Sequence, residues 1–219
     1  MRQIWDYLVL NRDTIAENLL DHVWLALVPV VIAFFLSLPL GWLANRSRVL
    51  ARVLLTGSSV LYTIPSLALI LIIPLIIGSS LLSPLNVVIA LTLYSLALLV
   101  RTTADGLGSV PPEVVASADA MGYRPARRWF SVELPLAMPV ILAGVRVATV
   151  ANVSMVSIAA LIGIGGLGQL FTRGFQLDFY LPPIIIGLVL SVLLAVLCDL
   201  VIVLIQRRLT PWTRAVAAR

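Results

Sequence analysis

A chain of 219 residues that is 61% hydrophobic and 11% charged, with a mean hydropathy of +1.08, cannot hide its apolar surface from water by folding on itself. Soluble domains carry about a quarter charged residues, so the composition excludes an ordinary soluble domain and points to a bilayer as solvent. The net charge of +5 comes from 15 arginines and no lysine; they cluster in short groups beside long apolar runs, the positive-inside pattern rather than a nucleic-acid-binding face.

The elements follow from where charge is absent, since a helix of about 20 apolar residues crosses the hydrocarbon core. Residues 1–22 hold Asp6, Asp13, Glu17 and Asp21 and lack the basic opening of a signal peptide, so the first apolar run is expected to stay as a membrane helix. His22, the only histidine, has no converging metal ligands and reads as a surface or helix-start residue. The first span covers about 23–45 and is closed by Arg46, Arg48 and Arg52. Residues 53–100 carry no charge and are too long for one span; they divide into spans at about 53–77 and 86–100, with a turn from Gly78 to Asn86 and Arg101 as the end. The longest polar segment, 101–135, follows. A fourth span at about 139–161 is interrupted only by Arg146. After the glycine-rich stretch 163–181, a fifth span at about 183–206 ends at Arg207 and Arg208.

These readings predict an all-α polytopic membrane protein of about five transmembrane helices in a single domain spanning 1–219. The segments 46–52 and 101–135 and the tail from 207 hold three, four and four arginines, against Arg2, Arg12 and Arg173 with five acids on the other side. The bias places the N-terminus outside and the C-terminus in the cytoplasm. Cys198 lies alone in an apolar run and makes no intrachain disulfide.

The cytoplasmic segment carries the most information. Pro111 and Pro112 suit the first turn of a short helix. Ala116, Ser117, Ala118 and Ala120 give it a narrow face, and Gly122 suits its C-terminus, where a left-handed residue is often needed. Arg124, Arg127 and Arg128 follow, and Pro135 marks the return to the membrane. With Gly122 followed by Val132 and then Leu134-Pro135, the segment resembles the EAA loop of binding-protein-dependent ABC importer permeases. The family's Glu-Ala-Ala falls on Ala116-Ser117-Ala118, so the glutamate is missing; Glu113 stands three residues out of register. The resemblance extends along the chain. Residues 62–69, 143–150 and 158–162 look like the osmoprotectant branch, and the run from Gly163 to Gln169 is shared with methionine-importer permeases.

The resemblance implies a type I ABC importer permease fold in a bacterial inner or plasma membrane. The chain would serve glycine betaine, choline or carnitine, the alternative being methionine or another small solute. It implies that Ala116, Ser117, Ala118, Asp119, Gly122, Leu134 and Pro135 form the coupling surface for an ATPase subunit. ATP would be bound by that partner, with no cofactor on this chain. The further partners are a second permease copy or paralogue, an extracellular substrate-binding protein and membrane lipid, with no nucleic acid. The chain shows no Walker motif and no nucleophile–base set, which predicts a non-catalytic subunit. A secondary transporter usually shows repeated halves, and none is visible.

The remaining marked residues have local readings. The run Gly163 to Gly168 lacks the Lys-Ser/Thr of a phosphate loop and reads as flexible or tightly packed backbone at the outer mouth. Trp5, Tyr7, Trp24 and Trp212 suit aromatic belts. Tyr62, Asn152, Ser154 and Ser157 either line the pathway or bridge helices. Arg146 and Asp199 are the two charges well inside the spans, both roughly 10–12 Å from the cytoplasmic helix ends at 1.5 Å per residue, and matched depth predicts a buried ion pair.

Overall fold

The computed structural model describes residues 2–212, all helix and connecting turns with no strand among them. Arg214 and Arg219, counted above for orientation, lie outside the described residues. Among the described residues there are ten α-helices: α1 (Arg2–Leu10), α2 (Arg12–Arg46), α3 (Arg48–Thr63), α4 (Ser66–Ile77), α5 (Pro84–Gly108), α6 (Pro112–Ala120), α7 (Pro125–Arg128), α8 (Leu134–Ala159), α9 (Gly168–Gln176) and α10 (Leu181–Leu209). A π-helical turn, Trp129–Glu133, joins α7 to α8, and a 3-10 turn, Ala160–Ile162, follows α8.

Four helical stretches are long and apolar enough to cross a membrane, and a fifth is completed if α3 and α4 count as one broken span. Those two helices meet at 106°. The cause is local: Ile64 precedes Pro65 and takes the extended backbone that position favours (φ −69°, ψ 130°), while Pro65 offers no N–H to continue the ladder. The stretch expected as a second span over 53–77 is thus built from two helices, α3 and α4, that meet at this bend. The helix α5 runs on through Arg101 to Gly108, seven residues past the place where charge alone put its end.

Helices α2, α5 and α8 form the core. Leu25, Ile70, Leu91, Val87 and Val156 are buried where they meet α4, and Ala33, Leu99 and Ala148 continue the seam. Small residues set the close approach, the usual device where lipid removes any hydrophobic drive between helices. A Cβ at Gly41 would lie 2.5 Å from Thr103 Cγ2, and one at Gly144 would collide with the side chain of Thr102. The expected belt residue Tyr7 instead belongs to a second core. It is 8% exposed, packs with Ile15, Leu167, Leu170 and Ile186, and meets Tyr180 edge-on. The N-terminal helix α1 is thereby pinned over the end of the bundle. By contrast, α10 has no buried residue in its apolar stretch and presents Leu188, Val192, Val196 and Leu200 outward.

Candidate functional site

Two ends of this core carry the polar chemistry. At the arginine-rich end, Pro112 starts α6, and Gly122 ends it at φ +80°. Tyr123 N–H donates to the Ala118 carbonyl (3.1 Å) and Gly122 N–H to that of Asp119 (2.9 Å), a left-handed cap that satisfies the last carbonyls. The helix is held by one cation. Arg128 donates to both carboxylate oxygens of Asp119 at 2.6 Å and, through Nε, to Glu133 Oε1 at 2.6 Å. A guanidinium forks across two carboxylates in this way because its donors are planar and fixed. Arg128 therefore ties α6 to the turn that leads into α8. Beneath it, Val115, Trp129 and Leu134 pack on Leu107, Val110, Ala137 and Ile141.

This geometry separates the residues expected to form the coupling surface. Ala116, Ser117, Asp119 and Gly122 are exposed and form a continuous polar-to-small surface. Ala118 is 1% exposed and faces the protein, so it cannot belong to a docking face. Leu134 and Pro135 are half-buried and root the return helix rather than present a surface. A Cβ at Gly122 would meet nothing within 4 Å, which leaves the outward side of the turn open.

At the opposite end, the glycine-rich stretch is closely packed backbone. Gly163 and Gly166 adopt φ +84° and +96°, and a Cβ at Gly165 would lie 2.7 Å from Asp21 Oδ2. His22 is the anchor. It is fully buried, and Leu167 N–H donates to Nδ1 at 3.1 Å. With Nδ1 accepting, Nε2 carries the proton and donates to the Val153 carbonyl at 2.9 Å. The surface role expected for His22 is thus replaced by a cross-link between α2, α8 and the glycine loop. Beside the loop lies an open cavity of about 570 Å³ whose polar lining includes Thr14, Asn18, Gln169, Thr172, Arg173 and Gln176.

Between the ends, the marked polar residues separate. Asn152 is 1% exposed, donates to the Ala26 carbonyl and accepts from Ser95 Oγ, both at 3.2 Å. It bridges α8, α2 and α5 and does not line a pathway. Ser154 and Tyr62 are exposed and Ser157 half-buried. Arg146 and Asp199 meet as a fork, Nε to Oδ1 at 2.6 Å and Nη2 to Oδ2 at 2.9 Å, joining α8 to α10. Their side chains are 39% and 32% exposed, so the pair lies on the flank of the bundle rather than in its interior. Among the described residues, no group of His, Cys, Asp and Glu is placed to hold a metal.

Residues 22–211 match the model of the family described as "Binding-protein-dependent transport system inner membrane component". The chain is 38% identical over 208 residues to the osmoprotectant import permease protein OsmW of Salmonella typhimurium, covering 94% of this chain and 96% of that one. It is 32% identical to the glycine betaine/carnitine/choline transport system permease protein OpuCD of Bacillus subtilis, covering 96% and 91%. Among solved structures, an inward-facing MetNI methionine ABC transporter superposes with a TM-score of 0.80 at 20% identity, covering 90% of this chain and 96% of that one. An amino acid ABC transporter crystallised with histidines superposes with a TM-score of 0.75 at 21% identity, covering 91% and 96%. The fold is that of ABC importer permeases. Members of this group work with ATPase subunits and substrate-binding proteins, and the chain belongs to the family of binding-protein-dependent transport system inner membrane components.

Proposed function

We propose that this chain is the non-catalytic permease subunit of a bacterial ATP-driven importer of osmoprotectants such as glycine betaine, choline or carnitine. Similarity to OsmW over 94% of the chain supports the solute class. The observation that carries the mechanism is helix α6, exposed on one side and clamped by Arg128 to the root of α8.

In this reading the arginine-rich end is cytoplasmic, and Ala116, Ser117, Asp119 and Gly122 dock on an ATPase subunit that binds the ATP. Closure of the ATPase moves α6, and the Arg128 clamp passes the displacement into α8. The polar cavity beside the glycine loop then opens outward and receives solute from an extracellular binding protein. The uncovered apolar face of α10 is taken up by lipid or by a second permease, either a copy of this chain or a paralogue.

The test is uptake in proteoliposomes by the complex of this chain with its ATPase and its substrate-binding protein. ATP-dependent accumulation of radiolabelled glycine betaine, choline or carnitine, with methionine excluded, is the expected result. Accumulation of methionine alone would overturn the solute assignment and favour the rival small-solute reading.

A further inference from the structure

Arg101 and Arg146 lie inside the long helices α5 and α8, and their partners differ. Arg146 is forked onto Asp199. Arg101 has no carboxylate within ion-pair distance among the described residues, and its recorded hydrogen bond is a long one, Nη1 to Ser59 Oγ at 3.5 Å. It stands seven residues before the end of α5, and Ser59 eleven residues after the start of α3. At 1.5 Å per residue these are depths of about 10 and 16 Å from the arginine-rich ends. An exposed guanidinium near the polar end of a spanning helix, with no carboxylate in contact, keeps its charge by facing water, and such residues can meet charged solutes.

A cavity is present at this arginine. Ser58, Ser59, Tyr62, Ala97, Leu98 and Arg101 line an open pocket of about 280 Å³ between α3 and α5, next to the bend at Ile64-Pro65. Tyr62 is 46% exposed, and its ring is braced edge-to-face on Tyr94, with centroids 5.7 Å apart. Tyr94 itself is buried in the core, and its hydroxyl has no partner. The cavity thus joins an aromatic ring braced on a second one, the hydroxyls of Ser58, Ser59 and Tyr62, and a guanidinium with no carboxylate in contact, Asp105 standing one turn further along α5.

We propose that this cavity is a transit subsite for small zwitterions that carry both a quaternary ammonium and a carboxylate. The assignment deepens the osmoprotectant reading and rests on it. The carboxylate meets the guanidinium of Arg101, which offers paired N–H donors of the right spacing. The ammonium, which has no N–H to donate, is drawn to the electron-rich face of Tyr62. One aromatic ring and one arginine hold such a solute weakly, which suits a site that must also release it.

The experiment measures uptake of glycine betaine and of choline, which has the ammonium but no carboxylate, by the complete complex in liposomes. Arg101→Gln is expected to lower the betaine-to-choline uptake ratio about tenfold, the size of one lost charge-assisted contact, and Arg101→Lys to keep most of it. Tyr62→Leu lowers uptake of both solutes, whereas Tyr62→Phe keeps it. Because choline is the internal control, poor assembly of a variant lowers both rates and leaves the ratio readable. An unchanged ratio in Arg101→Gln overturns the subsite while leaving the osmoprotectant reading intact. A wild-type complex that takes up neither solute overturns both.

Discussion

Replacing His22 with leucine isolates the cross-link that holds the glycine loop. Leucine fills most of the imidazole's space but offers neither acceptor nor donor. The Val153 carbonyl lies inside α8, where the helix ladder also uses it, so its loss is small. The Leu167 N–H is different: its acceptor is Nδ1 of His22, and Leu167 is fully buried. A buried donor left unmatched costs about 1–3 kcal/mol. At 1.4 kcal/mol per tenfold, amide exchange at Leu167 should quicken about 5- to 150-fold, with little change in the centre of α5. The assay is hydrogen–deuterium exchange of the detergent- or nanodisc-embedded protein, resolved to peptides that contain Leu167. Exchange within twofold of wild type at that amide would refute the view that His22, rather than the backbone geometry of Gly163 and Gly166, pins the loop.

Three further outcomes are expected. Gly122→Leu should leave membrane insertion intact and abolish solute-stimulated ATP hydrolysis, because φ +80° costs a side chain about 1–2 kcal/mol and the new side chain points into the open docking side; full stimulation would remove α6 from the coupling role. Arg146→Asp and Asp199→Arg should each impair assembly or transport and the double swap restore part of it, while a double variant as poor as the worse single one would leave the fork without a role. A reporter fused at residue 110 should behave as cytoplasmic and one at residue 80 as external, and the reverse pattern would invert the orientation.

What could be read from the sequence was set by regular patterns. Apolar runs bounded by arginine marked the helices, and Pro112 with Gly122 marked the ends of α6, because proline alone lacks the N–H and glycine takes a left-handed backbone without strain. Arg146 and Asp199 could be matched by depth, since rise per residue is constant along antiparallel helices. The bend at Ile64-Pro65 had its local signal in the proline but was masked by uniform hydropathy on both sides. Helix α5 continues through Arg101 because a helix ends where its backbone is capped, at Gly108 and Ser109, and not where charge begins. The His22 cross-link had no signal at all: its partners are the backbone at Val153 and Leu167, more than 130 residues away, and backbone groups are the same at every position. The Arg128 clamp was equally hidden, since separations of five and nine residues fit no single helix face and need the turn between α6 and α8 to bring the groups together.

These fixings bear on how such a chain can move. Arg128 joins α6 to the root of α8; Asn152 and the Gly144–Thr102 approach join α8 to α2 and α5; His22 joins the far end of α2 to α8 and the glycine loop. Sliding any one of the three core helices would leave a buried polar group unmatched or drive a side chain into a glycine-sized gap, and packed interiors resist both. A push on α6 is therefore carried by α2, α5 and α8 as one body. The segment least tied in this way is α3, which has no buried residue; α4 is seated in the core through Ile70 and Ile73, and α10 is held to α8 by the Arg146–Asp199 fork. Opening and closing of the proposed pathway then falls to α3 and to whatever packs on it. This places the Tyr62–Arg101 cavity, with one wall on α3 and the other on α5, at the boundary between the rigid body and the part that moves. A solute held across that boundary is released when the walls separate, without either wall changing its own structure.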